Sequence, residues 1–306
     1  MNKKPFQGTG TALITPFKLD GSVDEKTLRG LVDFQIDGGI DMILPCGTTG
    51  EGATLTADET DRVAQIVIEQ ANGRVPVIVG AGSNSTAKAI EGTKRAGRIA
   101  ADGVLSVGLY YNKPTQQGFY EHFKAIAEAE DIPIVVYNVP GRTASNIEAK
   151  TMLRLAEIPN IVAVKEASGN LVQIMEIIRD RPPDFRVLSG DDVLALAVVS
   201  LGGDGVVSVV SNEAPGMMSG IINAALEGNL AKARNLHYKL LELMNLNFIE
   251  SNPIPVKAAL AMMGLIEENY RLPMVPMTPA NREKLAKVLE EVGLLETLSP
   301  RKRAGA

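Results

Sequence analysis

The sequence predicts an α/β fold, a (β/α)8 TIM barrel that is followed by a C-terminal helical extension. Three observations support this prediction. Short β-rich runs alternate with longer amphipathic helical patterns, the alternation repeats eight times, and 306 residues is a length typical of one such barrel with additions. Tryptophan is absent and aromatic residues make up 4% of the chain, which favours the aliphatic interior of a barrel.

Each of the eight β-rich runs precedes a helical pattern. The predicted strands span residues 10–14, 41–45, 75–80, 103–107, 134–138, 161–166, 186–189 and 205–209. The helices that follow them are predicted at 24–37, 57–72, 86–101, 116–130, 147–156, 171–181, 191–201 and 215–226. An open doubly wound sheet is the alternative, but no G-x-G-x-x-G turn follows the first strand.

The chain continues beyond the eighth unit. Residues 230–246, 255–263 and 279–292 have the pattern of three further helices, and the segment 271–279 holds three prolines and is predicted to be a connector. We therefore expect a catalytic barrel over residues 1–226 and a helical extension over 227–306 that packs on it.

The composition argues against several classes of function. The formal net charge is −5, and the only basic cluster is Arg301, Lys302 and Arg303, so we expect no nucleic-acid partner. A single cysteine, Cys46, fits a reducing compartment. Residues 1–7 lack the apolar run of a signal peptide, and no segment approaches the roughly 20 apolar residues of a membrane span. The expectation is a cytoplasmic protein with no membrane partner.

Neither a metal nor an organic cofactor is indicated. His122 and His237 are the only histidines, and their positions do not match a ligand spacing. Asp191 and Asp192 follow the seventh strand and are predicted to cap the next helix rather than to bind a cation.

Lys165 is the foremost candidate for chemistry. It follows the apolar run 161–164, which is typical of a buried parallel strand, and side-chain alternation places it on the same face as Ala163. If that face is the barrel interior, burial lowers the lysine pKa and supplies a neutral amine that can attack a carbonyl carbon. The pattern leaves a second interpretation equally open, a structural ion pair with a carboxylate at a strand end, for example Glu166.

Three tyrosines follow strands at the same end of the predicted barrel. Tyr137 ends the fifth strand and shares a face with Val135, a position from which a phenol can transfer protons near a carbonyl carbon. A core tyrosine with its hydroxyl bonded to backbone is the alternative. Tyr110 and Tyr111 follow the fourth strand and suit either the pocket or a packing or subunit contact.

Two loops offer groups that suit a carboxylate. Gly47-Thr48-Thr49-Gly50-Glu51 follows the second strand, and its hydroxyls and N–H groups can bind an anion, although it lacks the Gly-Lys-Ser/Thr ending of a phosphate loop. Arg142 follows the fifth strand, where a guanidinium can bind a carboxylate through two hydrogen bonds. A solvated loop arginine is the alternative.

Taken together, five motifs resemble the dihydrodipicolinate synthase / N-acetylneuraminate lyase family, from about residue 8 to residue 295. Each motif is weak alone, but all five in this order form a specific signature. They are Gly47-Thr48-Thr49-Gly50-Glu51, Tyr110-Tyr111-Asn112-Lys113-Pro114, Tyr137-Asn138-Val139-Pro140-Gly141-Arg142-Thr143, Val164-Lys165-Glu166-Ala167 and Asn252-Pro253-Ile254-Pro255-Val256-Lys257.

The resemblance implies a reaction and a role for each motif residue. Lys165 would form a Schiff base with pyruvate, and Thr48 and Thr49 would hold the pyruvate carboxylate. Thr49 would join Tyr137 and Tyr111 in a proton relay. Because Tyr111 in this family reaches into a neighbouring subunit's site, the resemblance also implies an oligomer, usually a tetramer.

The same resemblance implies the second substrate and the product. Arg142 would receive the carboxylate of L-aspartate 4-semialdehyde, and Gly190 and Val207 would line the pocket. The product would be 4-hydroxytetrahydrodipicolinate, on the route to diaminopimelate and lysine. Two alternatives stay open: a pyruvate-dependent aldolase for a sugar-derived 2-keto acid, which usually lacks an arginine at the position of Arg142, and a barrel that binds a small acid without catalysis.

The regulatory site of the family is poorly matched. Lysine-regulated members place histidines and a glutamate around the bound lysine, whereas this chain keeps Asn84 and Tyr110 but has Ala57, Thr60 and Lys88 at the other matching positions. Since the Lys88 ammonium would repel an incoming lysine, the sequence predicts weak or absent inhibition by lysine.

Overall fold

The computed structural model of the protein describes residues 6–295. Within that range eight parallel strands form one sheet in the order β2-β1-β8-β7-β6-β5-β4-β3. Their bounds are β1 Gly8–Ala12, β2 Met42–Leu44, β3 Ile78–Gly80, β4 Gly103–Val107, β5 Ile134–Asn138, β6 Ile161–Glu166, β7 Arg186–Ser189 and β8 Gly205–Ser208.

The two ends of this strand order meet and complete the barrel. Ile43 of β2 and Val77, just before β3, form a parallel bridge. The Ile43 N–H donates to the Pro76 carbonyl at 3.0 Å, and the Gly80 N–H donates to the Pro45 carbonyl at 3.0 Å. All eight strands therefore point the same way around a ring, and their carboxyl ends lie on one face.

Helices alternate with the strands and surround them. The helices of the barrel are α1 Glu25–Asp37, α2 Ala57–Ala71, α3 Thr86–Arg98, α4 Gln116–Ala129, α5 Pro140–Thr143, α6 Ala149–Leu155, α7 Leu171–Asp180, α8 Asp192–Ser200 and α9 Pro215–Leu226. Polar side chains begin several of them: Thr56 forms a capping box with Glu59, and Thr115 and Asn170 cap α4 and α7.

Three further helices form the C-terminal extension: α10 Leu230–Leu246, α11 Ile254–Met262 and α12 Pro279–Val292. Of these, α10 packs on α8 and α9 and α12 packs on α10 and α11, and together the three helices form a second apolar core with α8 and α9. This contact explains why α8, α9 and α11 are apolar around most of their circumference, since each is covered on more than one side.

The barrel interior is a packed aliphatic core rather than a channel. Side chains from the inner faces of the strands fill it, and its buried members are Phe6, Ala12, Met42, Leu44, Ile78, Leu105, Val135, Tyr137, Val139, Ala163, Leu188 and Val207. A larger apolar layer lies between the strands and the surrounding helices. Polar side chains at the carboxyl ends of the strands therefore rest on this closely packed apolar interior, which restricts their positions.

The structure confirms the predicted fold, a (β/α)8 barrel with C-terminal helices. The predicted elements are all present, with shifts of one to three residues at several ends, and the four-residue helix α5 was not predicted. None of the helices within residues 6–295 combines the length and the apolar composition that a membrane span requires. The basic cluster Arg301, Lys302 and Arg303 lies outside the described residues.

Candidate active site

Lys165 lies at the carboxyl end of β6 with its side chain in the barrel interior, 6% exposed. On the neighbouring strands its partners in register are Tyr137 of β5 and Leu188 of β7. The Lys165 Nζ lies 4.3 Å from the centre of the Tyr137 ring. The amine and the phenol therefore face the same space at the top of the barrel core.

Glu166 points to the opposite side of β6 and does not pair with Lys165. Its carboxylate accepts hydrogen bonds from the Asn138 amide at 3.1 and 3.2 Å and from the Gln173 amide at 3.3 Å. The Ser168 backbone N–H donates to it at 2.7 Å. The interpretation of Lys165 as the partner of Glu166 in a strand-end ion pair is therefore wrong.

Burial changes the protonation of Lys165. Loss of hydration lowers the pKa of its ammonium to about 8, the charge of Asp192 partly offsets this, and the charge of Arg142 lowers the pKa further. An appreciable fraction of the side chain is thus a neutral amine near neutral pH. A neutral amine in a water-poor pocket is the form that attacks a carbonyl carbon.

Gly190 makes room for the Lys165 side chain. A Cβ at this position would lie 3.1 Å from both Cγ and Cε of Lys165 and 2.7 Å from the Cβ of Ala167. The backbone of Gly190 is fixed by donation of its N–H to the Glu166 carbonyl at 2.7 Å. A side chain at position 190 would therefore crowd both Ala167 and Lys165.

Tyr137 is buried with 7% of its surface exposed, and the loss of hydration raises the pKa of its phenol to about 12. The charge of Arg142 opposes this shift and that of Asp191 adds to it. The phenol consequently keeps its proton at neutral pH. It can donate a hydrogen bond or pass a proton on while the adjacent amine is neutral.

Arg142 lies in the short helix α5, which follows β5 directly, and its side chain is exposed at the carboxyl-end face. Its charge lowers the pKa of both Lys165 and Tyr137, so the guanidinium is within electrostatic reach of both. A cation at the mouth of the barrel and within reach of a reactive amine is placed to bind an anionic substrate.

The loop after β2 carries one buried and one exposed threonine. Thr49 is 3% exposed, whereas Thr48 is exposed at the mouth of the barrel. The Thr15 hydroxyl donates to the Gly50 carbonyl at 2.7 Å, and the Asn252 amide donates to the Thr49 hydroxyl at 2.9 Å. The loop is therefore held from the barrel on one side and from the C-terminal extension on the other.

Two residues of the extension, Asn252 and Lys257, also belong to this face; both lie in the fifth motif of the resemblance, but no role was predicted for either. Lys257 is completely buried, and its Nζ lies 2.6 Å from a carboxylate oxygen of Glu51. Asn252 is 4% exposed and contacts Thr49. One signal was available, because Lys257 is the only charged residue in the apolar segment Ile254–Met262.

The other residues predicted to belong to the active site or to the lysine site differ in how far they are buried. Val207 is buried in the barrel interior. Tyr111 is 90% exposed, with a left-handed backbone (φ 67°), and so lies outside the pocket of its own chain. Asn84 donates to the Tyr110 carbonyl at 3.4 Å, which places these two together. Lys88 and Ala57 are exposed.

The two acidic residues after β7, Asp191 and Asp192, accept hydrogen bonds from backbone N–H groups. Asp191 caps α8 by accepting from the Val193 N–H, as predicted, while Asp192 accepts from the N–H groups of Val209 and Val210, each at 2.9 Å. In the part of the chain that the structure describes, no three His, Cys, Asp or Glu side chains are grouped as a metal site requires.

The chain matches the Dihydrodipicolinate synthetase family over residues 5–292. It is 59% identical over 292 residues to the 4-hydroxy-tetrahydrodipicolinate synthase of Koribacter versatilis, covering 95% of this chain and 97% of that one.

Solved structures of the same kind superpose closely. The chloride-inhibited dihydrodipicolinate synthase of Acinetobacter baumannii in complex with pyruvate has a TM-score of 0.93 at 45% identity, covering 94% of this chain and 99% of that one. The enzyme of Cyanidioschyzon merolae with lysine bound has a TM-score of 0.93 at 45% identity, covering 95% of this chain and all of that one.

Proposed function

Because this chain belongs to the dihydrodipicolinate synthetase family, we propose that it catalyses the 4-hydroxy-tetrahydrodipicolinate synthase reaction. It condenses pyruvate with L-aspartate 4-semialdehyde to give 4-hydroxytetrahydrodipicolinate and water, for lysine and diaminopimelate biosynthesis. The observation that carries the proposal is the buried Lys165 amine, with its lowered pKa, 4.3 Å from the Tyr137 ring. Full-length relatives named for this reaction support it.

Lys165 is the nucleophile of the reaction. Its neutral Nζ adds to C2 of pyruvate, and the resulting carbinolamine loses water to give a Schiff base. The protonated imine withdraws electrons, so that a proton leaves C3 and an enamine forms. The enamine attacks the aldehyde carbon, and the amino group of the second substrate then displaces Lys165 from C2 as the ring closes. The protonated Schiff base thus serves as the electron sink, so the proposed steps require no metal.

Tyr137, Thr49 and Tyr111 move the protons of these steps. The Tyr137 ring lies 4.3 Å from the reacting nitrogen and its phenol keeps its proton at neutral pH, which supports a role in protonating the hydroxyl that leaves the carbinolamine. Thr49 is buried at the same face of the barrel. Tyr111 extends away from its own chain, which suits a group that completes the relay in an adjacent subunit.

Two carboxylates have to be bound, one from each substrate. Thr48 and Thr49, with the N–H groups of their glycine-flanked loop, hold the carboxylate of pyruvate. Arg142 binds the carboxylate of the semialdehyde through two hydrogen bonds. Gly190 and Val207 shape the pocket around the Schiff base.

We further propose that the enzyme is a cytoplasmic homotetramer. Tyr111 is 90% exposed although its backbone adopts a conformation that non-glycine residues rarely take, and such strain is retained where neighbouring structure fixes it. Val172, Met175 and Leu201 present further apolar surface on the barrel helices and in the turn after α8. Surfaces of this kind fit subunit contacts.

Asn84 and Tyr110 are the two residues that this chain keeps from the lysine-binding site of regulated family members. We propose that the protein binds lysine weakly or not at all. Lys88 and Ala57 are exposed where the family has groups that attract the ligand. The test is a steady-state assay with added lysine. We expect little change, and strong inhibition at micromolar lysine would contradict the proposal.

Trapping with borohydride tests the proposed nucleophile. Incubation with pyruvate and sodium borohydride is expected to add the mass of a reduced pyruvate adduct to Lys165 alone, located by peptide mass spectrometry. Lys165→Arg should abolish the adduct, and Lys124→Arg, a surface variant of α4, should leave it unchanged. Absence of the adduct in the unaltered protein would reject Schiff-base chemistry and favour a barrel that only binds a small acid.

Comparison of second substrates separates this function from that of a sugar-acid aldolase. We expect kcat/KM for L-aspartate 4-semialdehyde to exceed that for polyhydroxylated aldehydes, because the Arg142 guanidinium pairs with a carboxylate and gains little from hydroxyl groups. A preference for a sugar aldehyde would identify the other aldolase activity instead.

A further inference from the structure

We infer that Asn252 of the C-terminal extension is a positioning residue for Thr49, whose hydroxyl it orients toward the reacting centre. The inference rests on the proposed function, in which Thr49 transfers a proton. It goes beyond that function because it assigns to the helical extension a part in the chemistry of the barrel.

The contact is direct and buried. The Asn252 side-chain amide donates to the Thr49 Oγ1 at 2.9 Å, and the two residues are 4% and 3% exposed, respectively. They are 203 positions apart in the chain, one in the loop after β2 and the other immediately before α11. A hydrogen bond that is shielded from water fixes its two groups more firmly than a surface hydrogen bond does.

The polarity of this hydrogen bond fixes the direction of the Thr49 proton. A threonine hydroxyl has one proton to donate and can accept through its lone pairs. Since Thr49 accepts from Asn252, its own proton is free to be donated elsewhere. On the proposed chemistry that proton belongs to the relay with Tyr137. An acceptor at position 252 would instead draw the proton toward the extension.

A second buried contact holds the same loop to the same segment. Lys257, five residues after Asn252, pairs with Glu51, two residues after Thr49, at 2.6 Å. The Arg271 N–H also donates to Glu51 at 3.4 Å. Two attachments so close in sequence define the position of the threonine loop relative to the extension, so that Asn252 is presented to Thr49 in a fixed geometry.

The decisive variant is Asn252→Asp, which keeps the shape of the side chain and changes a donor into an acceptor. We expect kcat at pH 8 to fall about 10²-fold, the size of effect that misplacing a reacting group produces. Thr49→Val should lower kcat by a similar factor. Adding Asn252→Ala to Thr49→Val should cause no further loss, because Asn252 acts through the hydroxyl that is already gone.

The pH dependence separates orientation of the hydroxyl from mere support of the loop. An aspartate that is protonated at low pH can donate to Thr49 as the amide does. The ratio of the Asn252→Asp kcat to that of the unaltered enzyme should therefore rise as pH falls from 8 to 6. A purely structural role predicts a ratio that is constant with pH. This ratio stays informative if Asn252→Ala folds poorly.

Asn269→Ala is the matched control. Asn269 also belongs to the C-terminal extension and also donates to the barrel, to the Phe17 carbonyl at 3.1 Å, but not to the threonine loop. We expect its kcat to stay within twofold of the unaltered enzyme. A similar loss in Asn269→Ala and Asn252→Asp would show that attachment of the extension matters in general and would overturn the inference.

Failure of the inference can be told from failure of the proposed function. If the unaltered protein forms the borohydride-trapped pyruvate adduct and turns over, the proposed function holds. If Asn252→Asp then retains kcat within twofold, or if Asn252→Ala and Thr49→Val lower kcat multiplicatively, the role of Asn252 is rejected alone. If the unaltered protein forms no adduct, both are rejected.

Discussion

The ammonium of Lys257 lies 2.6 Å from the carboxylate of Glu51, and 0% and 1% of the two side chains are exposed. The Phe17 ring, 4.4 Å from the Lys257 Nζ, closes one side of this ion pair. The pair joins the C-terminal extension to the loop that carries Thr49. A fully buried ion pair costs hydration energy at both groups and is stable only while both are present.

Removal of one partner should therefore destabilise the protein strongly. Lys257→Met leaves the Glu51 carboxylate buried with only the weak Arg271 N–H contact, and we expect the free energy of unfolding to fall by about 3–5 kcal/mol. Adding Glu51→Gln removes the stranded charge and should recover part of that loss. Urea unfolding measures both values. Lys287→Met, at an exposed pair with Glu291, should change little. Equal losses in Lys257→Met and the double variant would contradict this account.

The barrel was predictable from sequence because its signal is local. Each strand shows a short apolar run and each helix an amphipathic pattern, and the order of these elements leaves few topologies. Because Lys165 follows the sixth predicted strand, the order of elements also predicted that it lies at the carboxyl-end face of the barrel. Alternation along β6 puts Lys165 and Glu166 on opposite faces of the sheet, but the structure was required to show which of the two side chains enters the barrel interior.

Contacts between distant segments were not predictable in the same way. Asn252 and Lys257 contribute to the threonine loop through pairs that are 203 and 206 positions apart. Periodicity within a helix does not identify a partner in another element. The sequence did show a charged residue, Lys257, inside an apolar helix, and this indicates that a partner exists without identifying the carboxylate.

The activity should depend on pH through Lys165. Because burial lowers its pKa to about 8, the fraction of neutral amine falls as pH falls below 8 and levels off above it. The rate of pyruvate adduct formation should follow this curve when measured over pH 6–10. Arg142→Met removes a charge that lowers this pKa and should move the midpoint upward, while Arg142→Lys should keep it. A midpoint that stays in place in Arg142→Met would contradict the assignment.

His122 should limit stability in acid. It is buried in α4 with its Nδ1 2.9 Å from the Thr86 hydroxyl, and burial lowers its pKa to about 4 from an ordinary value of 6.5. The folded state therefore binds this proton less well than the unfolded state does. The contribution of the neutral ring is complete above pH 6.5 and is lost as pH falls toward 4, by about 2–3 kcal/mol.

Comparison with His122→Gln isolates this contribution. Glutamine can still bond to Thr86 but does not titrate, so the variant should lose less unfolding free energy than the unaltered protein between pH 7 and pH 4.5. Chemical unfolding at the two pH values gives the difference. Parallel losses in both proteins would show that other groups govern acid stability.

Gly190→Ala tests whether the position of the Lys165 side chain limits the rate. The new methyl group would lie 2.7 Å from the Cβ of Ala167 and 3.1 Å from two carbons of Lys165, so we expect the lysine side chain to be displaced. A shift of the reacting nitrogen by a fraction of an ångström to an ångström is expected to lower kcat by about 10- to 100-fold. Since the methyl group removes no charge, the pH midpoint near 8 should change far less than kcat.

Gly30→Ala is the control for Gly190→Ala, because it makes the same glycine-to-alanine substitution away from Lys165. Gly30 lies within α1, and a Cβ there would meet nothing within 4 Å, so the alanine should keep full activity and stabilise the helix by up to about 1 kcal/mol. If Gly190→Ala also keeps full activity while adduct formation still requires Lys165, the pocket accommodates the methyl group by moving Ala167 instead. A loss of kcat in Gly190→Ala with an unchanged unfolding free energy would establish that the glycine serves the placement of the nucleophile rather than the stability of the barrel.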